Sequence, residues 1–232
     1  MSTLYRLFLR SQLVRGRIIG LGSLGLLAVC LGFAVGASDG AGPRDGAELV
    51  SEYGLALFVP VSVLLFASAV LGDPNEDGTL VYLWLRPVAR WKIVAAAVAA
   101  ALSLCLPLVV LPMALAGALA GGGGLVVGAI ASCTLATVSY VGIFTWLGLR
   151  VKRALVWGLA YILIWEGFVA RAGSTPATLS VRASTRSVLG RISDAPRDFV
   201  EVGSIAAVLV PLLAAAVALW LTVRRLASQD VA

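Results

Sequence analysis

Six stretches of this chain run for 17 residues or more with a single charged side chain, Glu166, among all of them. They are Ile18 to Val35, Gly54 to Leu71, Ile93 to Leu119, Leu125 to Leu149, Ala154 to Ala170 and Ile205 to Val223. A helix needs about 20 apolar residues to cross the hydrocarbon core of a bilayer, and about 17 to 25 are tolerated. Runs this regular in a chain of 232 residues make the bilayer, rather than a buried core, its main solvent. Composition agrees: 13% of residues are charged, against about 25% in a soluble domain, too few for a water-facing surface. The expectation is an all-α, polytopic membrane protein with six transmembrane helices, forming a single domain over residues 1–232.

The first run follows Arg6, Arg10, Arg15 and Arg17 and ends in Gly36-Ala37-Ser38, the outline of a signal peptide. Its length exceeds the roughly 7 to 15 residues of a signal core, and further spans follow, so a retained helix is expected. Prolines 60, 107, 112 and 211 fall inside spans, where a missing N–H gives a cause for bending.

Orientation is read from Lys and Arg in the connections, which concentrate on the cytoplasmic side. The amino terminus, residues 86–92, residues 150–153 and the tail together hold 12 of them; Arg44 and the five arginines at 171, 182, 186, 191 and 197 hold the other 6. Both termini are therefore expected in the cytoplasm. The net charge of +6 is explained by these anchors, with no nucleic acid as partner. Ahead of the first span, Leu4, Leu7, Phe8 and Val14 project to one side of an ideal helix and Arg6, Arg10 and Arg17 to the other, the pattern of a helix lying in the membrane interface.

The chain has no histidine, which removes the usual zinc-hydrolase ligands and Ser-His-Asp catalysis. It also has no G-x-x-x-x-G-K-[ST] phosphate loop, so any ATP must be bound by another chain. Cys30, Cys105 and Cys133 each fall inside a span and read as lipid-buried thiols, with no disulfide or metal site. Two glycine pairs at four-residue spacing, Gly32 with Gly36 and Gly117 with Gly121, permit close helix contact, and the glycines at 121–124 suit a tight turn. Glu166 carries the strongest hint of function within a span, because a carboxylate at membrane depth is costly; gating, helix packing and a merely interfacial position near the outer end of the fifth span are all open to it.

The segment Gly72-Asp73-Pro74-Asn75-Glu76-Asp77-Gly78-Thr79-Leu80 and onward to Lys92 has its own signals. Asp73 as cap, Pro74 at the first position and Glu76 closing a capping box predict a short helix, which Pro87 would end. Leu80, Leu83 and Trp84 would share one face, fit for a groove on another protein.

Here the chain resembles the type-2 exporter class of ATP-binding cassette (ABC) permeases. In that class a run of the form E-x-G-T-L and then L-x-x-P-v-s-R lies between the second and third spans; here it reads Glu76-Asp77-Gly78-Thr79-Leu80 and Leu85-Arg86-Pro87-Val88-Ala89-Arg90. A lysine common a few residues into the third span of that class is missing, positions 94–101 being alanines apart from Val94 and Val98. The resemblance implies that residues 72–92 form a coupling helix contacting the ATPase subunit through Glu76, Gly78, Thr79, Leu80, Leu83, Trp84, Pro87 and Arg90. Residues 1–17 read as a cytoplasmic elbow helix packing under a transporter or as a plain positive-inside anchor, and the resemblance implies that residues 171–203 are an extracytoplasmic loop with short helices, a weak family pattern starting at Ser180. It also implies two ATP-binding subunits holding ATP and Mg, and a second permease copy forming a homodimer or related heterodimer. The setting would be a bacterial cell membrane. The cargo would be a hydrophobic or amphipathic drug, lipid or peptide, and the chain itself would be no enzyme. The alternatives are a membrane enzyme, for which the spans offer few polar groups, and a noncatalytic membrane scaffold or immunity protein, which leaves the 72–92 segment unexplained.

Overall fold

The computed structural model describes residues 2–38, 42–78, 89–168, 174–193 and 199–228, which are helical apart from short turns, with no strand among the described residues. Helix α1 is Ser2–Gln12 and α2 is Arg15–Gly36. Helix α3 begins as Pro43–Glu48, continues as a π-helical stretch, Leu49–Phe58, and finishes as Val59–Glu76. Helices α4, Arg90–Gly121, and α5, Gly123–Arg150, follow. Helix α6 is Ala154–Ala160 prolonged by a π-helical turn, Tyr161–Glu166; α7 is Ser174–Leu179, α8 is Val181–Ile192 and α9 is Ser204–Ser228.

Five of these helices, α2, α3, α4, α5 and α9, are long and apolar enough to cross a membrane. The expected sixth span is not among them. Ala154–Glu166 is apolar but short, about 20 Å at 1.5 Å per residue against a core of about 30 Å. Composition could not reveal this, because residues 154–170 are apolar enough to read as a crossing.

Phe8, Val70, Leu71, Ile93, Leu149 and Leu226 form one apolar cluster, which gathers α1 and one end each of α3, α4, α5 and α9. Helix α1 and the carboxyl end of α9 therefore lie at the same face, here called the terminal face; the opposite one is the distal face. Helix α1 packs against α3 and α4, and its buried side is Phe8 and Gln12 with Leu4, Tyr5 and Leu9, while Leu7 is exposed. The buried stripe is thus rotated from the one expected: Gln12 is buried and its Nε2 donates to the Phe66 carbonyl at 3.0 Å, while at an exposed edge Tyr5 donates to Ser103 Oγ at 2.9 Å.

Helices α3 and α5 form the centre: no residue from 58 to 72 or from 131 to 149 is exposed. They cross where Gly148 meets the Ser68 backbone and Gly72 faces the Gly148 carbonyl. With lipid on the outside as apolar as the helix faces, close backbone contact replaces the hydrophobic effect as the source of association. The same device joins α2 to α4, where Gly32 lies on Ala116 and Gly36 on Leu119, and α5 to α9, where Gly142 lies on Ala215. Gly117 and Gly121 both meet Leu125 across the turn into α5, and Gly122 makes that turn with φ +80°. Ile19, Leu26 and Phe33 on α2 and Ile205 and Leu213 on α9 are exposed, an apolar rim suited to acyl chains. Cys30 is exposed and Cys105 and Cys133 are buried.

Helix α8 lies along the distal half of α5. Its last turn, Leu189 and Ser193, touches Gly128, and its first residues reach the level of Tyr140 through Glu166, as described below. It therefore runs antiparallel to α5, with its amino terminus deep among the helices and its carboxyl end toward the distal face.

Candidate functional site

Glu166, the last residue of α6, is 3% exposed and meets the start of α8 end to end. Its Oε2 accepts the Ser180 hydroxyl at 2.5 Å and the Arg182 N–H at 3.2 Å; its Oε1 accepts the Val181 N–H at 3.2 Å and the Tyr161 hydroxyl at 3.1 Å. The Ser180 Oγ in turn accepts the Ala183 N–H at 3.1 Å, and the Ser184 N–H donates to the Ser180 carbonyl. The orphan donors of the first turn of α8 are thereby satisfied, and a negative charge faces the positive end of the helix dipole. The Tyr161 ring stands edge-on to Phe144, which stacks on Tyr140, so three aromatic rings wall the carboxylate on the α5 side. Glu166 is buried where the short α6 ends and α8 begins. Helices α6 and α8 together, about 38 Å at 1.5 Å per residue, provide the length that α6 alone lacks.

A second carboxylate of this site escaped the sequence reading. Glu52 lies in the π-helical stretch of α3, and both its oxygens accept Arg182 NH2 at 2.7 Å. Its neighbour Tyr53 donates to the carbonyl of Leu24, at the midpoint of α2, which sets this stretch below the outer helix ends. A span boundary at Gly54 puts Glu52 in a loop, and Arg182 falls among the loop arginines. The available signal was the apolar run Leu49-Val50 ahead of Glu52, which extends the helix outward. Both carboxylates occupy π-helical turns, which are rare and concentrate at functional sites, and both converge on Arg182.

Glu52, Glu166, Ser180, Arg182, Arg186 and Glu201 line a cavity of about 360 Å³. Arg186 pairs with Glu201 at 2.9 Å and lies over the Phe199 ring. The cavity thus carries three carboxylates and two guanidiniums at its wall. Among the described residues no cluster of histidine, cysteine or carboxylate could hold a metal ion.

At the terminal face, α3 does not break at Asp73, as the capping signals suggested. It runs through Pro74 to Glu76, because a proline in the last turn forfeits one hydrogen bond where the helix is ending anyway. Asp73 pairs with Arg17 at the start of α2, at 3.0 Å. Glu76 accepts the backbone N–H of Arg153 at 2.9 Å, holding the α5–α6 turn in which Arg153 has φ +58°. Gly78 follows with φ +67°, and Arg90 opens α4. Thr79, Leu80, Leu83, Trp84 and Pro87 lie outside the described residues.

Five membrane-length helices with an amphipathic helix at one face are the architecture of a multi-pass membrane protein. Residues 12–170 match the family model for ABC-2 family transporter proteins, and the chain belongs to that family: it is a membrane component, of the permease type, of an ABC transporter. Comparison with curated proteins gives no match.

Proposed function

We propose that the chain is the permease of an ATP-driven exporter, pairing with a second copy of itself or a related permease and with two ATP-binding subunits that hold ATP and Mg. The terminal face is the cytoplasmic one, and α1 is the elbow helix beneath the bundle. Segment 72–92 is the contact with the ATPase, with Glu76, Gly78, Thr79, Leu80, Leu83, Trp84, Pro87 and Arg90 as its residues. The observation that carries this reading is the bracing at that face. The stem of the segment is tied to α2 through Asp73 and Arg17 and to the α5–α6 turn through Glu76, so a push on residues 79–88 is delivered to three helices at once. Glu166 serves as a packing residue that fixes α8. The cargo is amphipathic: apolar faces along the spans suit an acyl or aromatic part, and the charged distal cavity suits a polar one.

The test is purification of the tagged protein from its native membrane in mild detergent. An ABC ATPase recovered in equal amount, with vanadate-sensitive hydrolysis, is the expected result; protein free of ATPase under several gentle conditions would sink the proposal. In the reconstituted complex, deleting Thr79 to Leu85 or making Arg90→Glu is expected to leave hydrolysis in place while lowering ATP-dependent transport more than about tenfold, the effect of about 1.4 kcal/mol on a coupling equilibrium. Unchanged coupled transport would remove the segment from the mechanism.

A further inference from the structure

Helix α1 is covered on one side. Phe8 and Gln12 are buried where it packs against α3 and α4, while Arg6, Leu7 and Arg10 stand exposed on its outer side, Leu7 at 52%. The apolar cluster that seats α1 also holds the first turns of α4 and the last turns of α9. Each of these two helix ends carries a tryptophan with a cation over its ring. Lys92 Nζ lies 5.7 Å from the Trp91 ring centroid, and the Arg224 guanidinium lies 4.6 Å from that of Trp220. Both rings are 55% exposed, and Lys92 and Arg224 are exposed with them. Three elements seated on one cluster thus present the same pairing, a cation beside open apolar or aromatic surface.

Charge decides what fits there. Among the described residues the terminal face carries eleven Lys and Arg side chains against three acids, Asp73, Glu76 and Asp77. Two of those acids are already engaged, Asp73 with Arg17 and Glu76 with the Arg153 N–H, so the face keeps a large positive surplus. Tryptophan rings favour the headgroup level of a bilayer, a cation held over such a ring stays at that level, and a guanidinium matches the oxygens of a phosphate. We infer that the outer side of α1, with Trp91 and Lys92 and with Trp220 and Arg224, forms a binding surface for anionic phospholipid. Headgroup phosphates meet Arg6, Arg10, Lys92 and Arg224, and acyl chains continue along Leu7 and the two indoles. A zwitterionic headgroup brings a cation of its own against this surface, and free phosphate leaves its apolar part uncovered. The inference goes beyond the transport reading and does not depend on it, because its test needs neither nucleotide nor cargo.

The full chain is reconstituted in vesicles of equal parts phosphatidylglycerol and phosphatidylcholine and extracted in mild detergent, and native mass spectrometry counts the lipid each molecule retains. Phosphatidylglycerol is expected to exceed phosphatidylcholine at least about fivefold, the effect of one cation beside an anionic surface. Salt at about 0.5 M during extraction is expected to lower that excess by more than half. The combined change Arg6→Gln, Arg10→Gln and Lys92→Gln is expected to bring the two lipids to within about twofold of each other, whereas Arg6→Lys with Arg10→Lys, which keeps the charge, holds the ratio within about twofold of the parent. Arg44→Gln, at the distal face, is expected to leave it unchanged. Melting temperatures report folding; should the triple variant not fold, Lys92→Gln alone takes its place with an expected fall of about threefold. Equal retention of the two lipids by the parent, or a parental ratio in the folded neutralised variant, overturns the inference. So does a ratio lost in the lysine variant or lowered as far by Arg44→Gln.

Discussion

Replacing Glu166 with alanine is expected to lower the stability of the protein in detergent by about 3 to 5 kcal/mol, the range for removing one member of a buried charged network. The Val181 and Arg182 N–H groups and the Ser180 and Tyr161 hydroxyls lose their acceptor together. A drop of about 10 °C in the melting temperature corresponds to that loss for a chain of this size. Glu166→Gln separates charge from shape. Its amide keeps one oxygen but turns an NH2 toward a backbone N–H, donor against donor, so an intermediate loss of about 2 kcal/mol is expected. Melting followed by size-exclusion recovery checks both variants. A glutamine variant as stable as the parent would mean that neither the charge nor the second acceptor matters, and an alanine variant within about 1 kcal/mol of the parent would remove Glu166 from the structural account.

The second large effect lies at the crossing of α3 and α5. Gly148→Ala adds one methyl group, yet that methyl would overlap the Ser68 carbonyl oxygen, a backbone atom with no rotamer by which to retreat. Two central helices must then separate, and the expected loss is about 3 kcal/mol, the upper part of the range for overpacking. Gly20→Ala on α2 has open space around it and is expected to be neutral or to stabilise by up to about 1 kcal/mol through helix propensity. The same substitution thus takes opposite signs at two positions in spans. Equal melting temperatures for the two variants would contradict the close crossing.

The spans were legible because hydrocarbon imposes length and apolarity together, and each predicted run falls within a helix apart from the tail of the fifth, Phe168 lying past the helix and residues 169–170 outside those described. Helix ends were less legible. Charged residues such as Glu52 look like loop when a partner such as Arg182 is 130 positions away and unseen. The π-helical turns were invisible, since one extra residue per turn leaves no trace in a uniformly apolar stretch. Short helices are expected within residues 171–203, but the enclosure of the polar side chains of α8 is not: Arg182, Ser184, Thr185 and Ser187 are all buried, Thr185 bonding back to Val181 while Arg182 reaches Glu52 and Ser187 accepts the Glu201 and Val202 N–H groups. Of the candidate site, Glu166 stood out in the sequence, while its partners emerge only from the way α6 and α8 abut.

Helix α5 touches α3, α4, α6, α8 and α9 and is sheathed along most of its length, whereas α2 leans mainly on α4 and shows most of its surface. A rod enclosed in this way has neighbours on every side along that stretch, so a changed side chain there displaces protein and not lipid. Substitutions along α5 between residues 131 and 149 therefore register in every other part of the bundle, while the lipid-facing side of α2 is free to drift among apolar residues with little consequence.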